Sequence, residues 1–139
     1  MYGLIYRRVE DLNHHMEGLK AAGIPEWPFG FEGRPQDQVT GPALAALAVG
    51  HTWEGYVRGQ AGENGRFISQ IDNDSRVAFR TQRSLMIGAA RLENDRLCTQ
   101  FDGYYSSLWL CGAVYRRASP DADYVHAAPQ GLFYFSVKD

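Results

Sequence analysis

Lysine is almost missing from this chain: of its fourteen cationic side chains only Lys20 and Lys138 are lysines, and the rest are arginines. Net charge is nearly absent too. At −2, with 22% charged and 45% hydrophobic residues, the composition indicates neither disorder nor a broad surface for a polyanion such as nucleic acid. No apolar run approaches the roughly 18 to 20 residues of a membrane span, and the start, MYGLIYRRVED, has no apolar core of a secretion signal. These absences predict a cytoplasmic protein with no membrane contact. Two cysteines are too few for a disulfide scaffold or a four-ligand zinc site. Internal repeats, low-complexity tracts and the HExxH spacing of a zinc enzyme are all missing.

What is present is a succession of strands. A chain of 139 residues suffices for one core and not for two good ones. Ser84 to Arg117 reads as three successive strands carrying both cysteines, with Asn94-Asp95 as a hairpin turn and a second break at Asp102-Gly103. Upstream, His51 to Gly59 alternates around Trp53 and Val57, Phe67, Ser69 and Ile71 share one strand face, and Val77, Phe79 and Thr81 share the next, with Asn73-Asp74 between them. Tyr124 to Ala127 and Leu132 to Val137 complete a set of about seven or eight strands at the regular spacing of a meander. The expected fold is mainly β (α+β), an antiparallel up-and-down meander closing into a small lipocalin-like barrel with one or two N-terminal helices.

Helical signals precede the strands. Leu12, Met16 and Leu19 recur at i, i+4 and i+7 between Glu10-Asp11 and Gly23, which predicts a helix over about 9–22. Residues 24–39 hold prolines, glycines and the rings Trp27, Phe29 and Phe31, a connection pinned to a surface by those rings. Thr40 is placed as N-cap of a second, short helix with Pro42 in its first turn and Gly50 as its stop, positioned to plug one barrel end. The domain reading is accordingly an N-terminal helix and aromatic linker over 1–39 and a barrel-like domain over 40–139, one unit together.

Most candidate sites have a plain structural reading. Cys98 and Cys111 sit mid-strand on sequential strands, where free buried thiols are favoured over a disulfide, and both over redox or metal chemistry. His14 and His15 are helical neighbours about 100° apart, poorly placed to share a metal ion. Gly59, Gly62 and Gly65 punctuate a hairpin loop without the GK[ST] of a phosphate cradle, and Asp72-Asn73-Asp74 is a turn without the glycine and glutamate of a calcium loop. Arg66, Arg76, Arg80, Arg83, Arg91 and Arg96 alternate with acidic turn residues and read as a solvated outer face. The loop FDGYYSSLW, by contrast, combines four rings with small polar residues, a composition suited either to recognition or to closing a barrel end. The ligand-binding candidates are His51, Trp53, Phe101, Tyr104, Tyr105 and Trp109. No catalytic residue, metal ligand or cofactor is assigned.

Four patches carry a resemblance. YRRVEDLNHHMEGLKAAGIPE resembles the end of the tetratricopeptide-type helical region of bacterial class III adenylate/guanylate cyclases. TGPALAALAVGHTWEGY, then DRLC and LCGAVYR, resemble a small β module that follows such regions. The resemblance implies a C-terminal accessory module, regulatory or ligand-sensing, of a cyclase-like signalling protein. It carries no catalytic residue over. The expected function is therefore a non-catalytic ligand- or protein-binding module, possible partners being a small molecule or a cyclase or helical-repeat domain. The alternatives are a small enzyme using the barrel cavity, with His51, Glu54 and Asp102 as its acid/base candidates, and a structural interaction module.

Overall fold

Short polar turns decide how this chain doubles back. Asn94 and Asp95 adopt φ of 51° and 60°, the left-handed pair that a two-residue hairpin needs and that these side chains tolerate. In the turn before Arg76, the Asp72 carboxylate accepts from the backbone N–H of Asp74 at 2.9 Å and of Arg76 at 3.0 Å.

The computed structural model describes residues 26–62 and 64–138. The helix predicted over 9–22, with His14 and His15, lies outside them. Strand β1 (Gln38–Val39) and helix α1 (Gly41–Ala48) come first, followed by β2 (Thr52–Gly59), β3 (Asn64–Ile71), β4 (Arg76–Thr81), β5 (Leu85–Glu93), β6 (Arg96–Phe101), β7 (Leu110–Arg116), β8 (Tyr124–Ala128) and β9 (Gly131–Lys138). From β2 onward each strand pairs antiparallel with the next, and β9 returns to β2 with Trp53 opposite Val137 and Val57 opposite Phe133. The result is the expected up-and-down barrel, eight strands closed without an edge. The predicted inward residues Phe67, Ile71 and Val77 are buried in the interior core.

Helix α1 closes one end. Leu44 and Ala48 face the interior, and the Trp53 indole N–H donates to the Leu47 carbonyl at 3.0 Å. Thr40 occupies the N-cap position but its side chain makes no cap bond; instead Asp95, from the β5–β6 turn, accepts from the Gly41 N–H at 2.9 Å. The cap thus comes from a residue distant in sequence, which a local pattern does not reveal. Gly50 ends the helix at φ 83° and donates to the Ile71 carbonyl.

A second apolar layer lies outside the wall. Every residue of β7 except Arg116 is buried, so this strand is covered on both faces. Its outward Ala113 and Tyr115 cluster with Val125, Ala127, Leu132 and Trp27, the last at 3% exposure. Trp27 therefore anchors the linker as predicted. Phe29 stays exposed beneath the Arg58 guanidinium, 3.9 Å from its ring centre. Arg96 reaches across to Glu26 at 2.7 Å while lying over the Trp27 ring, a stacking role that suits the planar arginine fork. Strand β1 was not foreseen within the linker: Val39 pairs with Val114 where β7 leaves β6, and its side chain enters the interior core.

The cysteines are opposite each other in the β6–β7 register and joined in a disulfide, with Trp109 packed against them. This corrects the favoured reading as free thiols. Only three residue pairs tie β6 to β7, so the bond reinforces a short seam of the wall.

Two outcomes follow for stability. Trp53→Ala, which empties a buried site 5% exposed, is expected to cost about 3 to 5 kcal/mol in urea unfolding, and Trp109→Ala, whose ring lies outside the wall, under about 2 kcal/mol. Equal losses would contradict these placements. Replacing both cysteines by alanine opens a link between residues 13 apart and should lower stability by about 3 kcal/mol on the loop-entropy scale.

Candidate functional site

Eight strands give an interior that side chains nearly fill, and here the filling is aromatic. Near the helix, Trp53 stacks on Phe135 at 3.7 Å between ring centres, and Phe135 on Tyr124 at 5.2 Å. Toward the other end Phe133 meets Phe67 and Phe79 edge to face at 5.7 Å each. Phe79 then continues to Phe101 and Phe101 to Tyr104, at the opening opposite α1.

Among these rings a cavity of about 50 Å³ remains, reaching from Trp53 to Tyr104. That is several times the roughly 10 to 15 Å³ one water requires. No Lys, Arg, Asp or Glu lines it. Its polar side chains are few, and three of them, Thr99, His126 and Gln130, are buried. His126 Nε2 and Gln130 Oε1 have no hydrogen-bond partner. Satisfied polar groups are the rule in protein interiors, and an orphan costs about 1 to 3 kcal/mol. Two orphans on one cavity therefore mark the place where water or a ligand supplies the missing bonds.

His126 is held by packing. Its ring lies 5.9 Å from both Trp53 and Phe133, and Gly112 on the neighbouring strand leaves it room, since a Cβ there would come within 2.7 Å of Nε2. Burial pushes the imidazole down from 6.5 to about 4, with the nearby Leu97 and Gly112 carbonyls pulling weakly upward. At neutral pH the ring is uncharged and can donate or accept. The cavity thus offers hydrogen bonds and no charge.

The opening is framed by the β6–β7 loop. Tyr105, Ser106 and Ser107 adopt φ of 51°, 57° and 56° in succession, an uncommon run for residues other than glycine. Besides its backbone turns, two side-chain bonds hold it: Gly103 N–H donates to Ser107 Oγ at 2.8 Å, and Gln100 Nε2 donates to the Ser107 carbonyl at 2.7 Å.

Of the six ligand-binding candidates read from the sequence, the cavity brings together Trp53, Phe101 and Tyr104. His51 precedes β2 near the helix end, Tyr105 is exposed beside the opening, and Trp109 lies on the outside under the Arg91 guanidinium, 4.3 Å from its ring; none of these three lines the cavity. The acid/base candidates do not assemble either. Glu54 sits on the outer wall with Arg66 and Arg80, and Asp102 is exposed in the loop at the end opposite His51. Arg66, Arg76, Arg80, Arg83 and Arg91 are all exposed, as a solvated face requires. Among the described residues no group of three or more His, Cys, Asp or Glu could hold a metal ion, and no helix is long and apolar enough to cross a membrane.

Sequence reasoning missed Thr99, His126 and Gln130. In YVHAA both neighbours of His126 are apolar, so alternation does not say which face the ring takes. Gln130 projects from a turn, where periodicity carries no information. Comparison with family models, with curated proteins and with solved structures finds no match to this chain.

His126 gives the barrel a pH signature. With the folded value near 4 and the ordinary value 6.5, the unfolded chain takes up a proton in that interval and the folded protein does not. Stability from the neutral ring is complete above 6.5 and is lost progressively down to about 4, about 3 kcal/mol in all. Urea unfolding at pH 7 and pH 5 should show about 2 kcal/mol of this loss in the wild type and much less of it in His126→Gln. Parallel behaviour of the two proteins would mean that the ring is hydrated.

Proposed function

We propose that this chain is a non-catalytic binding module whose barrel interior receives a small molecule. The observation that carries the reading is the cavity itself: a ring-lined chamber, open at one end, with two buried polar atoms that the protein leaves unpartnered. Binding sites combine an apolar lining with a few placed polar groups in this way. The three sequence patches that resemble the region following the helical repeats of nucleotide cyclases support an accessory, regulatory context for such binding. Nothing charged lines the chamber, so a cyclic nucleotide or its triphosphate precursor would be buried without a counterion, an unfavourable arrangement. The regulatory signal in this reading is therefore a neutral molecule.

Titration with benzene, followed by two-dimensional amide NMR, tests the reading. Saturable shifts are expected at Thr99, His126 and Gln130, and they should vanish in Ser69→Leu, which fills the chamber from β3. Absence of saturable shifts in the wild type, or their persistence unchanged in the filled variant, would refute an interior site.

A further inference from the structure

Gln130 sharpens the question of what the chamber reads. Its side chain is buried at 4% exposure, lines the cavity, and leaves Oε1 without a donor. A carbonyl oxygen only accepts hydrogen bonds. The neighbouring polar groups are less restrictive: the Thr99 hydroxyl donates or accepts, and neutral His126 does either according to which ring nitrogen carries the proton. The atom of this amide left without a partner is thus an acceptor.

Apart from the Ser69 hydroxyl, the rest of the lining is apolar or aromatic. Phe67, Phe79, Phe101, Phe133 and Tyr104 surround the half of the chamber toward the opening, where a flat ring gains offset or edge-to-face contact. The space is small, about 50 Å³, and a ring enters by displacing half-buried members of the lining such as Met86 and Tyr104. Met86 is half-buried and unbranched, and Tyr104 belongs to a loop rather than a strand; a methionine repacks with little penalty.

Resting on the reading of the interior as a binding site, we infer that its ligand class is a small, neutral, planar ring compound bearing an N–H or O–H donor that bonds to Gln130 Oε1. The ring occupies the aromatic half and its donor faces Gln130 in the β8–β9 turn, with Thr99 and His126 offering further hydrogen bonds from the same lining. A site built to hydrogen-bond a polar group discriminates against the analogue that lacks it, because the protein atom is then left buried and unpaired. Anions and cations are excluded by the uncharged lining.

The test compares isosteres by the same amide NMR titration. Pyrrole carries an N–H donor, furan has the same shape without one, and pyrrole-2-carboxylate adds a negative charge. Pyrrole is expected to bind at least tenfold more tightly than furan, and the carboxylate not to saturate at concentrations that saturate pyrrole. In Gln130→Met, which replaces the amide by an apolar chain of similar length, the pyrrole preference should fall below threefold while benzene still binds. Equal affinity for pyrrole and furan in the wild type overturns the donor requirement yet leaves an interior binding site standing. Saturation by the carboxylate at least as tight as by pyrrole overturns the neutral class. Failure of benzene, furan and pyrrole alike refutes the interior site and this inference together. If Gln130→Met does not fold, the pyrrole-to-furan ratio of the wild type alone decides.

Discussion

Closure of eight strands into a ring is the constraint from which the other features descend. Strand number fixes the bore, and a bore of this size must be packed by the side chains that alternate inward or it collapses. Large rings on β2, β3, β4, β6 and β9 meet the requirement, while small residues appear where two walls come close. Gly112 yields to the His126 ring, and Gly88 yields to Phe101, whose ring would lie 2.7 Å from an added Cβ. What the rings do not fill is the chamber, and its polar edge consists of groups that a purely structural core has little reason to bury.

The outer wall shows a different economy of materials. On β7 to β9 it carries a second apolar layer under Trp27, whereas on β3 to β5 it is exposed and holds Ile68, Leu85 and Ile87 among arginines. Guanidinium groups lie over Phe29, Trp109, Trp27 and Tyr134. The scarcity of lysine thus has a structural correlate, since a compact ammonium does not stack as a planar guanidinium does. On the same wall Tyr56 donates to Asp121 at 2.9 Å and Ser119 also donates to that carboxylate. These bonds, Ser119's foremost, hold the Asp121 carboxyl below its usual value. They pin the β7–β8 loop to β2.

Much of this was legible beforehand, for identifiable reasons. Period-two alternation marks a strand whose two faces see different surroundings, so β2, β3 and β4 stood out, and Asn94-Asp95 marked a hairpin because few other residues accept left-handed backbone. The signal fades where both faces are covered. In LCGAVYR and YVHAA apolar residues run on without alternation, so neither the orientation of His126 nor the outward cluster of Ala113, Val125 and Ala127 could be read. The aromatic loop divided: Tyr104 turns to the chamber and Trp109 to the outside, a split decided by a left-handed run of Tyr105, Ser106 and Ser107 that no local propensity announces. Cysteine pairing follows register rather than composition, since direct opposition of Cys98 and Cys111 on adjacent strands makes a bridge geometrically available.

The pairing of β2 with β9 carries a consequence for how the barrel comes into being. Every other junction in the ring joins strands adjacent in sequence, and such hairpins form early because little chain entropy is lost in closing them. The last junction instead joins Thr52 to Lys138 and Gly59 to Gly131. During synthesis the first barrel strand must therefore wait for the last, presenting an unpaired edge to its surroundings throughout. That interval is when the chain is most open to pairing with a second copy of itself, and Glu54 and Arg58, both on the waiting strand, are charges of the kind that discourage it.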